Sequence, residues 1–532
     1  MDRRRFLAGS FGASLLATLD ADLFAQIGNP PASTTWDPGS VRHLLPTVSA
    51  TSLLIKASFA RPLTAAPSLR VGARSVRGRK TDTAGEFWEF QARDLEAGRT
   101  YQVSLVAADG ASLCESWQLS TFPATDAVPE RFRVLFFTCA GGHEAFRYLP
   151  TAIRNRLLRR ALGFQPHAVV ANGDHVYWDL LSPMASARAG ASPEAEKIAG
   201  RFNRSALVFG DTNETVLKRA AGPQIVPVYG TDLRSTPVFF LQDDHDYFDN
   251  DEATDAIVTF PPSPFMIRLA RATQRLYYPE FLPESTRPVG LPWSSIDDRE
   301  AGLSESFGTI RFGSLAEIDL YDVRRTMTLA GPSAVFIDLE VEKWLRARAA
   351  ASDVTHLVHV PSNPPGWSAG KWGEWYPDVL GADGKLTTAS PKPYWQRGWL
   401  AQHDRIIESL GSMKRRMPLI VSGDLHAIGM ARMLRSGSID LAMNPVTAVL
   451  AGPLGTSPGG WPSTFRGIGP TVPAHLDARE EVKPLEQHGF TLADFLPDRI
   501  VLRLFKWDVN REPPDLIDRL EPFHTTELER PA

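Results

Sequence analysis

Four short polar clusters, each directly after an apolar run, carry the side chains with chemistry to offer. They are Thr138-Cys139 after RFRVLFF, Gly173-Asp174-His175-Val176-Tyr177 after HAVVAN, Asp243-Asp244-His245-Asp246 after VFFLQ, and Gly423-Asp424-Leu425-His426 after PLIVS. Together they bring a thiol, a phenol, several carboxylates and at least two imidazoles. Gathering so many anionic donors is costly unless a multiply charged ion sits among them, so a bound pair of metal ions is the leading reading. A carboxylate directly after a glycine, as in Gly173-Asp174, can turn over a sheet edge and bridge two cations. A metal ion deprotonates the Cys139 thiol and lowers the pKa of the Tyr177 phenol, so both can bind as anions. Thiolate, phenolate and carboxylate together suit ferric iron better than magnesium alone. Tyr177 returns toward Asp174 if the turn begins a helix, and Asp424 and His426 point the same way if their segment is extended. In the acidic run, one aspartate can ligate a second ion. His245 is then placed to face a substrate oxygen, where it can stabilise charge or protonate a leaving group. The bland alternative for this run is a solvated acidic loop, which Asp249-Asn250-Asp251-Glu252 would continue.

Smaller signals surround these. Arg324, in Asp322-Val323-Arg324-Arg325, could grip a phosphoryl oxygen bidentately or form a surface salt bridge. His359 ends another apolar run and reads either as a ligand to the second ion or as a core histidine. Trp367, Trp372, Trp375, Tyr376, Trp395 and Trp399 crowd one region, as an aromatic lip for substrate or as packing under a long loop. The chain has only two cysteines. Cys114 and Cys139 form a disulfide, or Cys139 is a metal thiolate and Cys114 a buried apolar residue; both cannot hold.

The elements that must position these groups alternate in type. Strands near 132–137, 167–171, 237–241, 316–321, 355–360 and 418–421 are interleaved with helices near 149–162, 339–351 and 397–411 and with a long segment that has helical portions, 194–209. That alternation indicates an α/β domain over 130–510, with its ligands at the carboxyl ends of the strands. Residues 41–123 differ: short strands near 51–59, 86–92, 100–107 and 117–122, separated by turn residues, predict a β-sandwich. Leu95-Glu-Ala-Gly-Arg-Thr-Tyr101 resembles a fibronectin-type corner whose tyrosine hydroxyl bonds to upstream backbone, although Tyr101 also fits an ordinary strand position. The segments 261–294 and 361–393 read as long loops, functional or mobile, residues 27–40 as a linker, and 511–532 as a tail.

Residues 1–26 carry Arg3-Arg4-Arg5 before an apolar, small-residue stretch too short to span a bilayer, which reads as an export signal of the twin-arginine type. The expected localisation is periplasmic or secreted, with the twin-arginine machinery as a partner. At 532 residues, 43% hydrophobic and net charge −4, the chain can bury a large core without disulfides, and it carries no basic block for nucleic acid.

Taken in order, the clusters resemble the PhoD-type alkaline phosphatases and phosphodiesterases of the metallophosphoesterase superfamily. Cys139 stands after the first catalytic strand. Gly173-Asp174-His175-Val176-Tyr177 matches GDxxY, Asp243-Asp244-His245-Asp246 matches a DDHE-like segment, and Gly423-Asp424-Leu425-His426 matches GDxH. The resemblance implies two facing mixed sheets flanked by helices in four layers, αββα, behind a fibronectin III/Ig-like β-sandwich. It implies a phosphate-ester substrate and a ferric ion with calcium. Cys139, Tyr177 and His426 would hold iron, Asp174 would bridge, Asp244 and Asp424 would hold the second ion, and His245 would assist the leaving group. Two positions depart from the pattern: Asp246 replaces a glutamate and Asp249 an asparagine. Alternatives are a phosphodiesterase or phospholipase D-like enzyme, or a non-enzymatic envelope protein with a structural metal site.

Overall fold

The apolar runs before the first three clusters are the strands Phe132–Thr138, Ala168–Asn172 and Val238–Leu241, and nearly all their side chains are buried. Burial on both faces is what parallel strands require, and it explains why these runs do not alternate with polar residues. The protein is described by a computed structural model covering residues 36–146, 148–178, 191–210, 212–247, 260–292, 302–456 and 462–530. The expected export signal and Asp249–Asn250 lie outside these residues.

The three strands pair in parallel, with Ala168–Asn172 in the middle. The sheet continues antiparallel through His488–Phe495, Arg499–Trp507 and His524–Glu529. The expected C-terminal tail is thus corrected: residues 524–529 are the edge strand of this six-stranded sheet. The alternating Thr525, Glu527 and Glu529 of this edge read as a polar terminus when its partner strand is not in view. A second, eight-stranded sheet places Ala316–Tyr321, His356–Pro361, Leu419–Ser422 and Val446–Ala451 in parallel, with antiparallel strands at both sides. The sheets touch at their carboxyl ends. The Thr138 N–H donates to Gly452 O at 3.0 Å, and the Asn172 side-chain amide donates to Pro361 O at 3.0 Å. All four clusters therefore open onto one region, three from the first sheet and one from the second.

The helices Thr151–Leu162, Leu339–Ala350 and Arg397–Gly411 fall where expected. Two others do not. Thr212–Tyr229 contains Pro223 and Pro227, each of which removes a helical donor and hides the pattern. Pro264–Tyr277 occupies the first part of the segment expected to be a loop; Ser263 caps it, accepting from the Met266 N–H at 3.4 Å.

Residues 41–120 form two four-stranded sheets, one containing Val41–Val48, Leu53–Phe59 and Phe87–Ala92, the other Ser68–Val71, Thr100–Val106 and Trp117–Ser120. The Tyr101 hydroxyl accepts from the Glu96 N–H at 2.8 Å, which is the expected tyrosine corner. This region joins the rest in one compact unit, Asp37–Ala532. At the junction, Lys56 is fully buried between Glu89 and Glu280, the latter at 3.0 Å, and His43 Nε2 lies 3.0 Å from Tyr277 O.

Candidate metal centre

The chain approaches the site through strained turns. Cys139, Asp174, Asp424 and His426 all have positive φ, at 51°, 58°, 66° and 47°. Non-glycine residues rarely adopt this region, and where they cluster a functional constraint is the usual reason. Two glycines make the turns possible. A Cβ on Gly173 would lie 2.6 Å from the Asp243 Cβ, and one on Gly423 would lie 2.2 Å from Thr138 Oγ1. The backbone at 424–426 is a tight turn, with the Leu425 N–H donating to Gly423 O at 2.8 Å. The two side chains therefore converge because the chain folds back, not because it is extended. Likewise no helix begins at Tyr177, which arrives on an irregular segment.

Cys139, Asp174 and His426 each offer a ligand atom within 4.8 Å of the others. Cys139 Sγ is 3.3 Å from Asp174 Oδ2, and His426 Nε2 is 4.0 Å from the same oxygen. The Tyr177 hydroxyl is 3.0 Å from His426 Nε2, which brings the fourth expected ligand to the group. All four are buried. Burial and then the Asp244 carboxylate hold Asp174 well above the ordinary carboxylate range, and burial and then Asp174 push the Cys139 thiol up. Burial, with His245 next, holds His426 far below its ordinary value, which leaves a neutral imidazole with a lone pair to give. The donor set fits a metal ion: a cation among these atoms would supply the positive charge that the Cys139 and Asp174 anions need. Both cysteines are free thiols, so the disulfide alternative is excluded.

Asp243, Asp244 and Asp424 form a second group with ligand atoms within 4.8 Å. This side already contains cations. Lys371 Nζ lies 2.8 Å from Asp244 Oδ2 and 2.6 Å from Asp424 Oδ1. Asn363 donates to Asp424 Oδ2 at 2.8 Å, and Arg324 Nε donates to Asp243 Oδ1 at 2.7 Å. Although burial opposes its charge, Asp244 is held well below the carboxylate range by Lys371 and then Arg324. Arg324 is thus neither a surface salt bridge nor a free clamp. Its Nη1 donates to Gly373 O at 2.5 Å, while Nη2, 3.7 Å from Asp424, has no hydrogen-bond partner among the described residues.

His245, which groups with Asp174 and Asp244, differs from the other candidate ligands in being partly exposed. Its ring lies against Tyr177, with centroids 4.2 Å apart, and its backbone N–H donates to Asp174 Oδ1 at 3.3 Å. Asp246 is buried. Its carboxylate accepts the N–H groups of Asp174, His175, Val176 and Asp243 at 2.9–3.0 Å, locking two ligand loops together. Gln224 does similar work from its helix, accepting from Gly142 and Tyr177 N–H at 2.8 and 2.9 Å.

Other expectations separate here. His359 sits in the body of its strand, fully buried, with Nδ1 3.4 Å from the Tyr321 hydroxyl, and belongs to neither ligand group. Trp367, Trp375, Tyr376 and Trp399 are core residues, while Trp372 and Trp395 pack against that core partly buried. Sequence reading missed Lys371, Asn363 and Gln224. Asn363 follows the strand end at Pro361 and obeys the same rule as the four clusters. Lys371 has no such signal beyond its place in a long glycine- and tryptophan-rich loop.

No protein-family model and no curated protein sequence matches the chain. Among solved structures, purple acid phosphatase PPD1 from yellow lupin (Lupinus luteus) seeds aligns with TM-score 0.53 and 10% identity over 93% of this chain and 75% of that one. PhoD aligns with TM-score 0.60 and 13% identity over 94% of this chain and 92% of that one. The chain therefore has the mixed α/β fold of PhoD, the protein whose family its motifs resemble.

Proposed function

We propose that this chain is a metal-dependent phosphoester hydrolase. The observation that carries the proposal is the convergence of Cys139, Asp174, Tyr177 and His426, from two sheets, on a point with positive φ at three of the four. A metal ion bound there would polarise a phosphoryl oxygen and make water nucleophilic at neutral pH. The protein's own groups do the rest. Arg324 Nη2 is available to orient a phosphoryl oxygen. His245, the partly exposed member of the group, donates a proton to the departing alkoxide. Asp246 and Gln224 hold the ligand loops so that little reorganisation is needed.

Ferric iron at the thiolate–phenolate position is part of this reading, and the donor chemistry supports it. The resemblance also implies calcium beside Asp244 and Asp424, where Lys371 stands. Export through the twin-arginine route to a periplasmic or extracellular destination is likewise proposed, from residues 1–26. So is the layering of two facing sheets between helices, behind a β-sandwich, which the strand orders support.

Metal analysis, combined with hydrolysis of p-nitrophenyl phosphate and bis-p-nitrophenyl phosphate, tests the proposal. Bound metal and chelator-sensitive turnover of either ester are expected. Metal-free protein that turns over neither ester after loading with iron, manganese or calcium overturns it.

A further inference from the structure

We infer that Lys371 stands in place of a second metal ion, so that the centre binds a single ion, on the Cys139 side. The inference rests on the phosphoesterase reading and concerns how that site is built. Its basis is the position of the Lys371 ammonium between Asp244 Oδ2 and Asp424 Oδ1, at 2.8 and 2.6 Å. Those are the two carboxylates expected to hold the second ion. The remaining oxygen of Asp424 accepts from Asn363 at 2.8 Å, so both of its oxygens are in use. Asp243 is paired with Arg324 at 2.7 Å. A calcium ion takes six to eight oxygen ligands, and a second dication here would have to displace a buried ammonium to obtain the first two.

Lys371 is not a mobile surface residue that has drifted inward. It is buried, and its loop is fastened on several sides. Arg466 donates to Ala369 O at 3.0 Å and Gly370 O at 2.6 Å. Ser368 pairs with Thr471 through backbone bonds of 2.9 Å in both directions. Glu374 accepts from Ser368 Oγ at 2.6 Å and from the Ala369 N–H at 2.8 Å, and is itself paired with buried Lys392 at 2.9 Å. On the other side of the lysine, Gly373 O accepts from Arg324. The loop's bonds therefore deliver Lys371 to the carboxylates. Asp244 keeps its Oδ1 without a hydrogen-bond partner among the described residues, and it also groups with Asp174 and His245. It can thus serve the first ion with one oxygen while the lysine holds the other.

Metal stoichiometry tests this independently of turnover. Full-length protein is stripped, loaded separately with iron, manganese or calcium, desalted, and assayed by elemental mass spectrometry and by calorimetric titration with the metal alone. Wild type and Lys371→Arg are expected to hold one ion per chain. Lys371→Met, which removes the charge and keeps the length, is expected to take up a second equivalent of manganese or calcium. Two ions per chain in the wild type overturn the inference and leave the phosphoesterase reading standing. A single equivalent in a folded Lys371→Met variant also overturns it. Should that variant not fold, the wild-type count alone decides. No metal at any loading removes the phosphoesterase reading, and the inference with it.

Discussion

The two halves of the centre use the same ingredient in opposite ways. Around Cys139, Asp174, Tyr177 and His426, the acidic groups meet one another with no lysine or arginine among the four, and burial drives Asp174 and Cys139 toward their protonated forms. Around Asp243, Asp244 and Asp424, Lys371 and Arg324 sit within ion-pair distance of the carboxylates; burial still raises Asp243 and Asp424, but Asp244 is driven the other way. The first half has no such cation, whereas the three carboxylates of the second already meet two, so the larger deficit of positive charge lies on the Cys139 side. The difference teaches that a cluster of carboxylates at strand ends is not in itself a metal site. What decides is whether the protein has already supplied the cations.

The largest effect expected from this contrast is at Asp174, whose carboxylate touches the first half and groups with Asp244 and His245 in the second. Asp174→Asn is expected to lose the bound ion and bring ester hydrolysis down to background, with elemental analysis and turnover falling together. Retention of metal with full activity would show that the Cys139 side is not the ion's seat. Next in size is His245→Ala. It should lower kcat by roughly 10²–10⁴-fold, the range for removing a general acid, while metal content stays unchanged. Equal loss of metal and turnover would make His245 a ligand instead. Tyr177→Phe comes third. It should abolish any tyrosinate-to-iron absorption in the visible region and weaken iron binding on the order of tenfold, about 1.4 kcal/mol. A coloured Tyr177→Phe protein would place the chromophore elsewhere.

Legibility followed the same division. The members of the first half were readable as a group, because Cys139, Asp174, Tyr177 and His426 each follow an apolar run within a few residues, and the end of a buried strand is a local property. Asp424 and His426 were found for an incorrect local reason, since the segment is a turn and not extended. The second half was only half readable. Asp244 and Asp424 stand at strand ends, but Lys371 reaches them from a loop whose position is fixed by Arg466, Thr471 and Glu374, and nothing adjacent to it in sequence announces that. His359 was left undecided between ligand and core, because a histidine at an apolar run looks alike whether it emerges from the sheet or stays inside it, and the structure shows it in the core. The helix Thr212–Tyr229 was hidden by its prolines, and the edge strand His524–Glu529 by its polar composition. In both, tertiary pairing overrides the local signal.

The smallest effect concerns the residue between the two halves. Asp246 stands where the resemblance expects a glutamate, which at first reads as a change near the chemistry. Its four accepted N–H groups, two from the Asp174 loop onward and one each from Asp174 and Asp243, make it a buried fastener between the turn that carries Asp174 and the turn that carries Asp244. Both carboxylate oxygens are used, Oδ1 for His175 and Val176, Oδ2 for Asp174 and Asp243. In Asp246→Asn one of these becomes an NH₂ facing two donors, so about half of the contacts fail while the volume is unchanged. Leaving buried donors without acceptors costs roughly 1–3 kcal/mol each, partly relieved by small shifts of the loops. The variant is therefore expected to unfold at a lower denaturant concentration, by a total on the order of 2 kcal/mol, with metal content retained and kcat changed only a few-fold. Equilibrium denaturation beside elemental analysis measures both. Stability equal to wild type, or selective loss of the ion from a protein of unchanged stability, would move Asp246 from the scaffold to the metal centre and blur the boundary between its halves.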